Sequence, residues 1–318
     1  MSEAAKQVIT LVVVLLALLT LAGGLIYAER RLLALWQDRY GPNRVGPFGL
    51  FQLVADMIKI LTKEDWVPPF ADKAVFVMAP AIVMTATLLS FAVIPFARGA
   101  VISDLNIGLL FFLAMSSMAV YSITLAGWSS ANKYSLLGSL RAAGQMLSYE
   151  VFMGLSLMGV VLLAGSFRLQ DIVDAQKGRW FCIPQFAGLV VFLIAGLAET
   201  RRIPFDLPEA ENELVAGYHT EYSGMKFAMF FLGEYVGITL IAAITVTLFF
   251  GGWRGPGLPG VVWFIVKVLT VIALFILIRG SLPRLRYDQL TALGWTVLLP
   301  LALANLLVTG AIVLAKGR

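Results

Sequence analysis

Residues 8–28 read VITLVVVLLALLTLAGGLIYA, a stretch without one charged side chain. At 1.5 Å per residue a helix of that length spans about 30 Å, the thickness of the hydrocarbon core of a bilayer. In hydrocarbon a backbone must satisfy its own hydrogen bonds, which leaves helices and closed barrels. Barrel strands alternate apolar and polar side chains; this run does not alternate, so it is a membrane helix. Neither the preceding MSEAAKQ nor the following ERRLLALW supplies a small-residue cleavage site, so a retained first span is expected.

Runs of the same kind recur to the end of the chain and predict spans at about 8–28, 74–96, 105–127, 138–163, 184–200, 226–250, 260–279 and 291–315. The expected fold is all-α: a polytopic transmembrane helical bundle of eight spans plus an amphipathic interfacial helix, with 1–318 forming a single integral membrane domain. Hydrophobic residues make up 59% of the chain and charged residues 14%, which is too apolar for a water-soluble domain. With Cys182 and His219 each the sole residue of its type, no disulfide, zinc site or iron–sulfur site can be assembled within the chain. The glycine-rich nucleotide motifs and the HExxH metalloprotease motif are absent as well.

The net charge of +5 fits loops on the inner side of a membrane and needs no nucleic acid. Lys and Arg are about twice as frequent in the loops that share a side with residues 29–73 as in those opposite. The positive-inside bias therefore sets those loops in the cytoplasm and both termini on the periplasmic side of a bacterial inner membrane. Within the 29–73 loop, Gln52, Asp56, Lys59 and Lys63 recur at helical spacing among apolar residues. That pattern predicts an interfacial amphipathic helix, which would either plug the bundle or act as a lid beside a lipid-facing opening.

Carboxylates inside spans cost roughly 2.5 to 3.5 kcal/mol at a helix centre, so each calls for a partner or a function. Glu150 lies about 18 Å into its span, Glu234 about 12 Å into its own, and Glu199 near the inner end of another. They converge on the 201–225 loop, which holds Asp206, Glu209, Glu211, Glu213 and Glu221. An ordinary solvated loop is one reading. A coupled acidic cluster, whose internal repulsion favours proton binding, is the other. Lys267, deep in a span, is expected to meet a partner chain or to snorkel outwards. Asp104 is expected to start a helix, and His219 to serve as a hydrogen-bonding loop residue or a proton shuttle. Cys182 is expected to be passive at the outer membrane edge.

Four segments carry a resemblance that runs through nearly the whole chain. ERRLLALWQDRYGPNRVGPFGLFQLVADMIKILTKED (29–65), GWSSANKYSLLGSLRAAGQMLSYEV (127–151), ETRRIPFDLPEAENELVAGYHTEYSGMKFAMFFLGEY (199–235) and RGSLPRLRYDQL (279–290) closely resemble the H-subunit family of respiratory complex I, the proton-pumping NADH:quinone oxidoreductases. The resemblance implies a subunit at the heel of a membrane arm, with one long bent span and interfacial helices at the entrance of a quinone chamber. It implies an acidic path at Glu29, Glu150, Glu199, Asp206, Glu209, Glu211, Glu213, Glu221 and Glu234. It also implies chamber residues at Arg30, Arg31, Arg39, Arg44, Phe51, Arg201, Arg202, Phe205 and Arg284. Quinone would be the substrate and no cofactor would be bound by this chain alone. NADH, FMN and iron–sulfur clusters would sit in partner subunits, among them the terminal iron–sulfur-cluster subunit, the 49-kDa-type quinone-site subunit and the small membrane subunits, with membrane lipids around them. The related membrane subunit of an energy-converting hydrogenase or ferredoxin-linked complex is the nearest rival. The unbroken PFDLPEAENELVAGYHTEYSGM loop favours the quinone enzyme. A self-sufficient transporter would show paired repeats or broken helices, and neither is evident.

Overall fold

The computed structural model describes residues 3–208 and 211–315, with side chains described for 9–208 and 213–315. Every regular element among them is helical. The first helix, α1, runs from Glu3 to Trp36, past the expected end at residue 28. The charges Glu29, Arg30 and Arg31 end the apolar stretch but not the helix, because no Gly or Pro interrupts the backbone before Gly41. The helix that the amphipathic pattern predicted is α2 (Gln52–Thr62), and it lies beside α1. Its Leu53 rests near Gly23, while Phe51, Val54, Met57, Ile58 and Leu61 stay exposed.

The remaining spans form α3 (Lys73–Ser90), α4 (Gly108–Ser129) and α5 (Lys133–Ala164), then the short α6 (Leu169–Ala175), α7 (Phe186–Glu199) and the single turn α8 (Glu211–Leu214). They are followed by α9 (Gly224–Phe249), α10 (Gly260–Ser281), α11 (Tyr287–Ala292) and α12 (Leu299–Ala315), the last pair joined by a π-helical turn over Leu293–Leu298. Caps fix several boundaries. The Asp72 side chain accepts from Val75 N–H, and Asn132 accepts from Tyr134 N–H at 2.9 Å. Gly165 ends α5 in the left-handed region at φ +71°, which glycine adopts without a Cβ penalty.

All eight expected spans are apolar helices, and seven are long enough to cross a membrane. The fifth, α7, has 14 residues, about 21 Å, because Pro184 and the hydrogen-bonded turn Phe181–Gln185 precede it. Asp104 stands four residues before α4 and forms an ion pair with Arg168 instead of starting the helix.

At the centre, α5 packs on α4, α7 and α12, while α9 packs on α1, α3, α7 and α10. The core of α9 is closed on all sides; its buried Thr239, Thr245 and Thr247 hydroxyls donate to carbonyls one turn back. One glycine matters for the site: a Cβ on Gly138 of α5 would come within 2.7 Å of Gly217. Its absence lets the turn Gly217–His219 sit directly on α5.

Candidate functional site

The C-terminal ends of α1, α7 and α10 and the N-terminal half of α9 meet around Arg202. This residue follows the end of α7, where Gln145 of α5 holds the turn from both sides. The buried Gln145 amide donates to Ala198 O and Phe205 O, each at 2.9 Å. The Arg202 guanidinium donates to Glu29 of α1 at 3.0 Å, forms an ion pair with Glu234 of α9 and lies 4.5 Å from the centre of the Tyr235 ring. Arg279 of α10 closes a second ion pair on Glu29. The side chains of Arg202, Glu29 and Glu234 are only 7%, 6% and 11% exposed. Buried charges at such depth persist only when paired, and removing one partner typically costs about 3–5 kcal/mol.

This network forms one wall of a cavity of about 560 Å³, which Arg30, Leu33, Arg39, Tyr40, Tyr218 and His219 also line. Phe227, Phe231 and Tyr235, one turn apart on α9, line the same cavity beside the charges, with successive ring centroids at 6.0 and 5.2 Å. His219 lies edge-on to Tyr218 and Phe227, at 5.0 and 5.4 Å. The cavity thus pairs an aromatic face with a charged one, as suits an amphipathic molecule carrying a polar head and an apolar body.

A second cavity, about 50 Å³, lies deeper among α3, α4 and α9 and is lined by Thr87, Ser90, Ser116, Glu199, Arg201 and Glu234. Its volume suits a water or two. Glu199 Oε2 is buried and accepts no hydrogen bond from the described residues. Glu150 and Arg201 lie within electrostatic reach of Glu199, and Glu150 accepts a hydrogen bond from Ser117 of α4. Arg201, held at φ +54°, donates to the Tyr218 hydroxyl at 2.5 Å. Glu234 is the carboxylate shared by both cavities.

Of the other residues expected along an acidic path, Asp206 pairs with Arg284 at 2.6 Å, Glu213 with Arg141 at 2.5 Å, and Glu221 accepts from Asn132 at 2.6 Å. Each fastens the 201–225 loop to a different segment, so these three are dispersed around its edge. Glu209 lies outside the described residues, and Glu211 is described by its backbone in α8 alone. Among the residues expected at a chamber, Arg30, Arg39 and Arg202 line the large cavity. Arg31 stands beside it, donating to Pro42 O at 3.3 Å. Phe205 is buried against Tyr149 with ring centroids 5.4 Å apart; Arg44 and Phe51 are exposed, and Arg284 is occupied by Asp206. Arg30 also pairs with Asp56 at 2.6 Å. Against the opposing effect of burial, the Gln52 hydrogen bond and the Arg30 charge hold the Asp56 carboxyl below its ordinary range. This contact ties α2 to α1 beside the cavity.

Sequence reasoning missed Arg279, Gln145 and the aromatic wall. The spacing Phe227–Phe231–Tyr235 was the available signal for that wall.

A profile of the family described as NADH dehydrogenase matches residues 8–310. The H subunit of the NADH-quinone oxidoreductase of Methylococcus capsulatus is 64% identical to this chain over 300 residues, covering 94% of this chain and 95% of the relative. The profile match takes in every described residue that lines the two cavities, the charged network included. The chain therefore belongs to the H-subunit family of the NADH-quinone oxidoreductases, as a helical membrane component of that oxidoreductase complex.

Proposed function

We propose that the larger cavity is the membrane-side chamber for quinone and that its charged wall couples quinone reduction to proton translocation. The observation that carries this reading is the pairing, around one cavity of about 560 Å³, of the Phe227–Phe231–Tyr235 face with the Glu29–Arg202–Glu234–Arg279 network. The rings suit an apolar isoprenoid tail, and the charges suit a headgroup whose reduction changes local charge. The exposed apolar stripe of α2, next to α1, suits a lipid-facing entrance. Glu234 offers the link to the deeper carboxylates Glu199 and Glu150, with the loop acids Asp206, Glu209, Glu211, Glu213 and Glu221 around its inner end. The chain passes no electrons itself on this reading. They would come from NADH through FMN and iron–sulfur clusters of partner subunits, with the terminal-cluster and 49-kDa-type subunits closing the headgroup end. The whole chain acts as one membrane unit, and the bacterial inner membrane with both termini periplasmic is the setting proposed.

Phe231→Ala in the assembled complex tests the chamber. Burying one phenylalanine against a ligand is worth about 1.5 to 3 kcal/mol, so the quinone KM should rise at least about tenfold. NADH oxidation by ferricyanide, which needs only the hydrophilic partners, should be unchanged. Unaltered quinone kinetics in a correctly assembled variant would refute the chamber.

A further inference from the structure

At the end of the bundle opposite the Arg202 network, Arg98, Asp174, Lys177, Trp253 and Arg254 surround an open cavity of about 470 Å³. Three cations against one carboxylate leave a net charge of +2. Asp174 is already engaged by Arg254, and among the described residues neither Arg98 nor Lys177 has an ion-pair partner. Arg254 Nε is buried and donates to no described acceptor.

The walls are built rather than loose. Buried Gln176 donates to Thr247 O at 3.0 Å while its oxygen accepts from Phe181 N–H and Gly251 N–H, stapling the loop after α6 to the end of α9. Lys267 reaches back from α10 and donates to the carbonyls of Phe250, Gly252 and Arg254 at 2.7, 3.0 and 2.6 Å. That spends its charge on holding the 250–254 loop, so it needs neither a partner chain nor an outward escape. Arg98 is presented by a tight turn in which Phe96 N–H donates to Ala100 O and Gly99 takes φ +73°.

Trp180 and Trp263 flank Lys267, with ring centres 4.7 and 6.0 Å from its ammonium, and Trp253 is on the cavity wall. Tryptophans gathered at one level mark a membrane–water interface. From that level the exposed Val261, Val262, Ile265 and Leu269 of α10 run on into the hydrocarbon. A basic pocket at headgroup height that continues into an apolar helix face matches a phosphodiester with acyl chains attached.

We propose that this pocket is a binding site for one anionic phospholipid, its phosphate held by Arg98, Lys177 and Arg254 and its chains laid along α10. A zwitterionic lipid would bring a cation to a pocket already at +2, so the site discriminates by headgroup charge.

The test reconstitutes the assembled complex in phosphatidylcholine bilayers containing a small share of photoreactive phosphatidylglycerol. Wild type should crosslink at residues 97–104, 174–183 or 250–269, and excess phosphatidylglycerol, but neither phosphatidylcholine nor soluble glycerophosphate, should suppress the label. Arg98→Gln with Lys177→Gln should cut that labelling at least about tenfold, as expected from losing two interfacial cations, while Arg286→Gln at the opposite end leaves it unchanged. Wild-type crosslinks confined to other segments would overturn the proposal whether or not the double variant assembles. So would suppression by glycerophosphate, which would mark a site for soluble anions.

Discussion

Replacing Arg202 by Met should unbalance the buried network more than any other single change. Arg202 and Arg279 face Glu29 and Glu234, two charges of each sign. Without Arg202, Glu29 retains Arg279 but Glu234 loses the Arg202 ion pair at 11% exposure. The expected cost is about 3–5 kcal/mol, typical of removing one partner from a buried ion pair. Glu234→Gln alone leaves Arg202 and Arg279 sharing the Glu29 carboxylate, an excess of positive charge in the same place, and should cost a similar amount. Together, the two changes leave Glu29 with Arg279 and one charge of each sign. The double variant should therefore be about 2–3 kcal/mol less destabilised than the sum of the singles, the coupling typical of residues in one ionic network. Thermal inactivation of quinone reduction, compared with ferricyanide reduction on the same preparations and with subunit content checked, gives the four corners of the cycle. A cycle that closes additively would mean that Arg202 and Glu234 do not share a buried charge balance, and the coupling assigned to this wall would be abandoned.

Three further outcomes are expected elsewhere in the chain. The Arg168 hydrogen bonds hold the Asp104 carboxyl below its ordinary value despite some burial; a depressed folded-state value supplies stability above the unfolded pKa of about 3.9 that is lost as pH falls through the folded one. The melting temperature of wild type should therefore drop on acidification below about pH 4, and Asp104→Asn should flatten that limb; equal slopes would remove the ion pair from the stability account. Burial pushes the Cys182 thiol up, against a weaker backbone hydrogen bond, so impermeant maleimide should label it slowly at neutral pH, faster above about pH 9, and only from the periplasmic side of intact cells. Val54→Asp, on the half-exposed apolar stripe of α2, should raise the quinone KM if that helix borders the entrance; a normal KM in an assembled complex would make α2 a plug.

The helices were legible because the bilayer imposes length and hydropathy on each one separately. Their ends were less so. Charge at Glu29 signals where hydrocarbon stops, but charge does not by itself stop a helix, so α1 overran its expected limit. Pro184 shortened α7 through its fixed φ and missing N–H. The intramembrane acids were readable for a different reason: each is too costly to be incidental. Their partners were not, since Glu29 and Arg202 stand 173 residues apart and no local spacing encodes that meeting. The rings on α9 were hidden because a row of aromatics one turn apart reads equally as a lipid-facing stripe. Lys267 was unreadable in principle, its acceptors being backbone carbonyls that exist only once the 250–254 loop has folded.

Glu234 then bears the burden of any coupling through this protein. Among the described residues it is the one carboxylate common to both cavities, and Arg202 ties it to the wall that faces the proposed quinone. A unit charge appearing about 4 Å from a partly buried carboxylate acts on it by about 4 kcal/mol at an effective dielectric constant of 20. That is enough to change its protonation or its choice of partner. A charge arising at Glu213, which is 56% exposed and already paired with Arg141, meets higher dielectric and salt screening within about 8 to 10 Å. Linkage is reciprocal: whatever a charged headgroup does to Glu234, a change at Glu234 does to headgroup binding. A signal leaving this cavity for the deeper one would therefore pass through the Arg202–Glu234 pair before it reached Glu199, and the exposed Glu213 would tune its strength instead of carrying it.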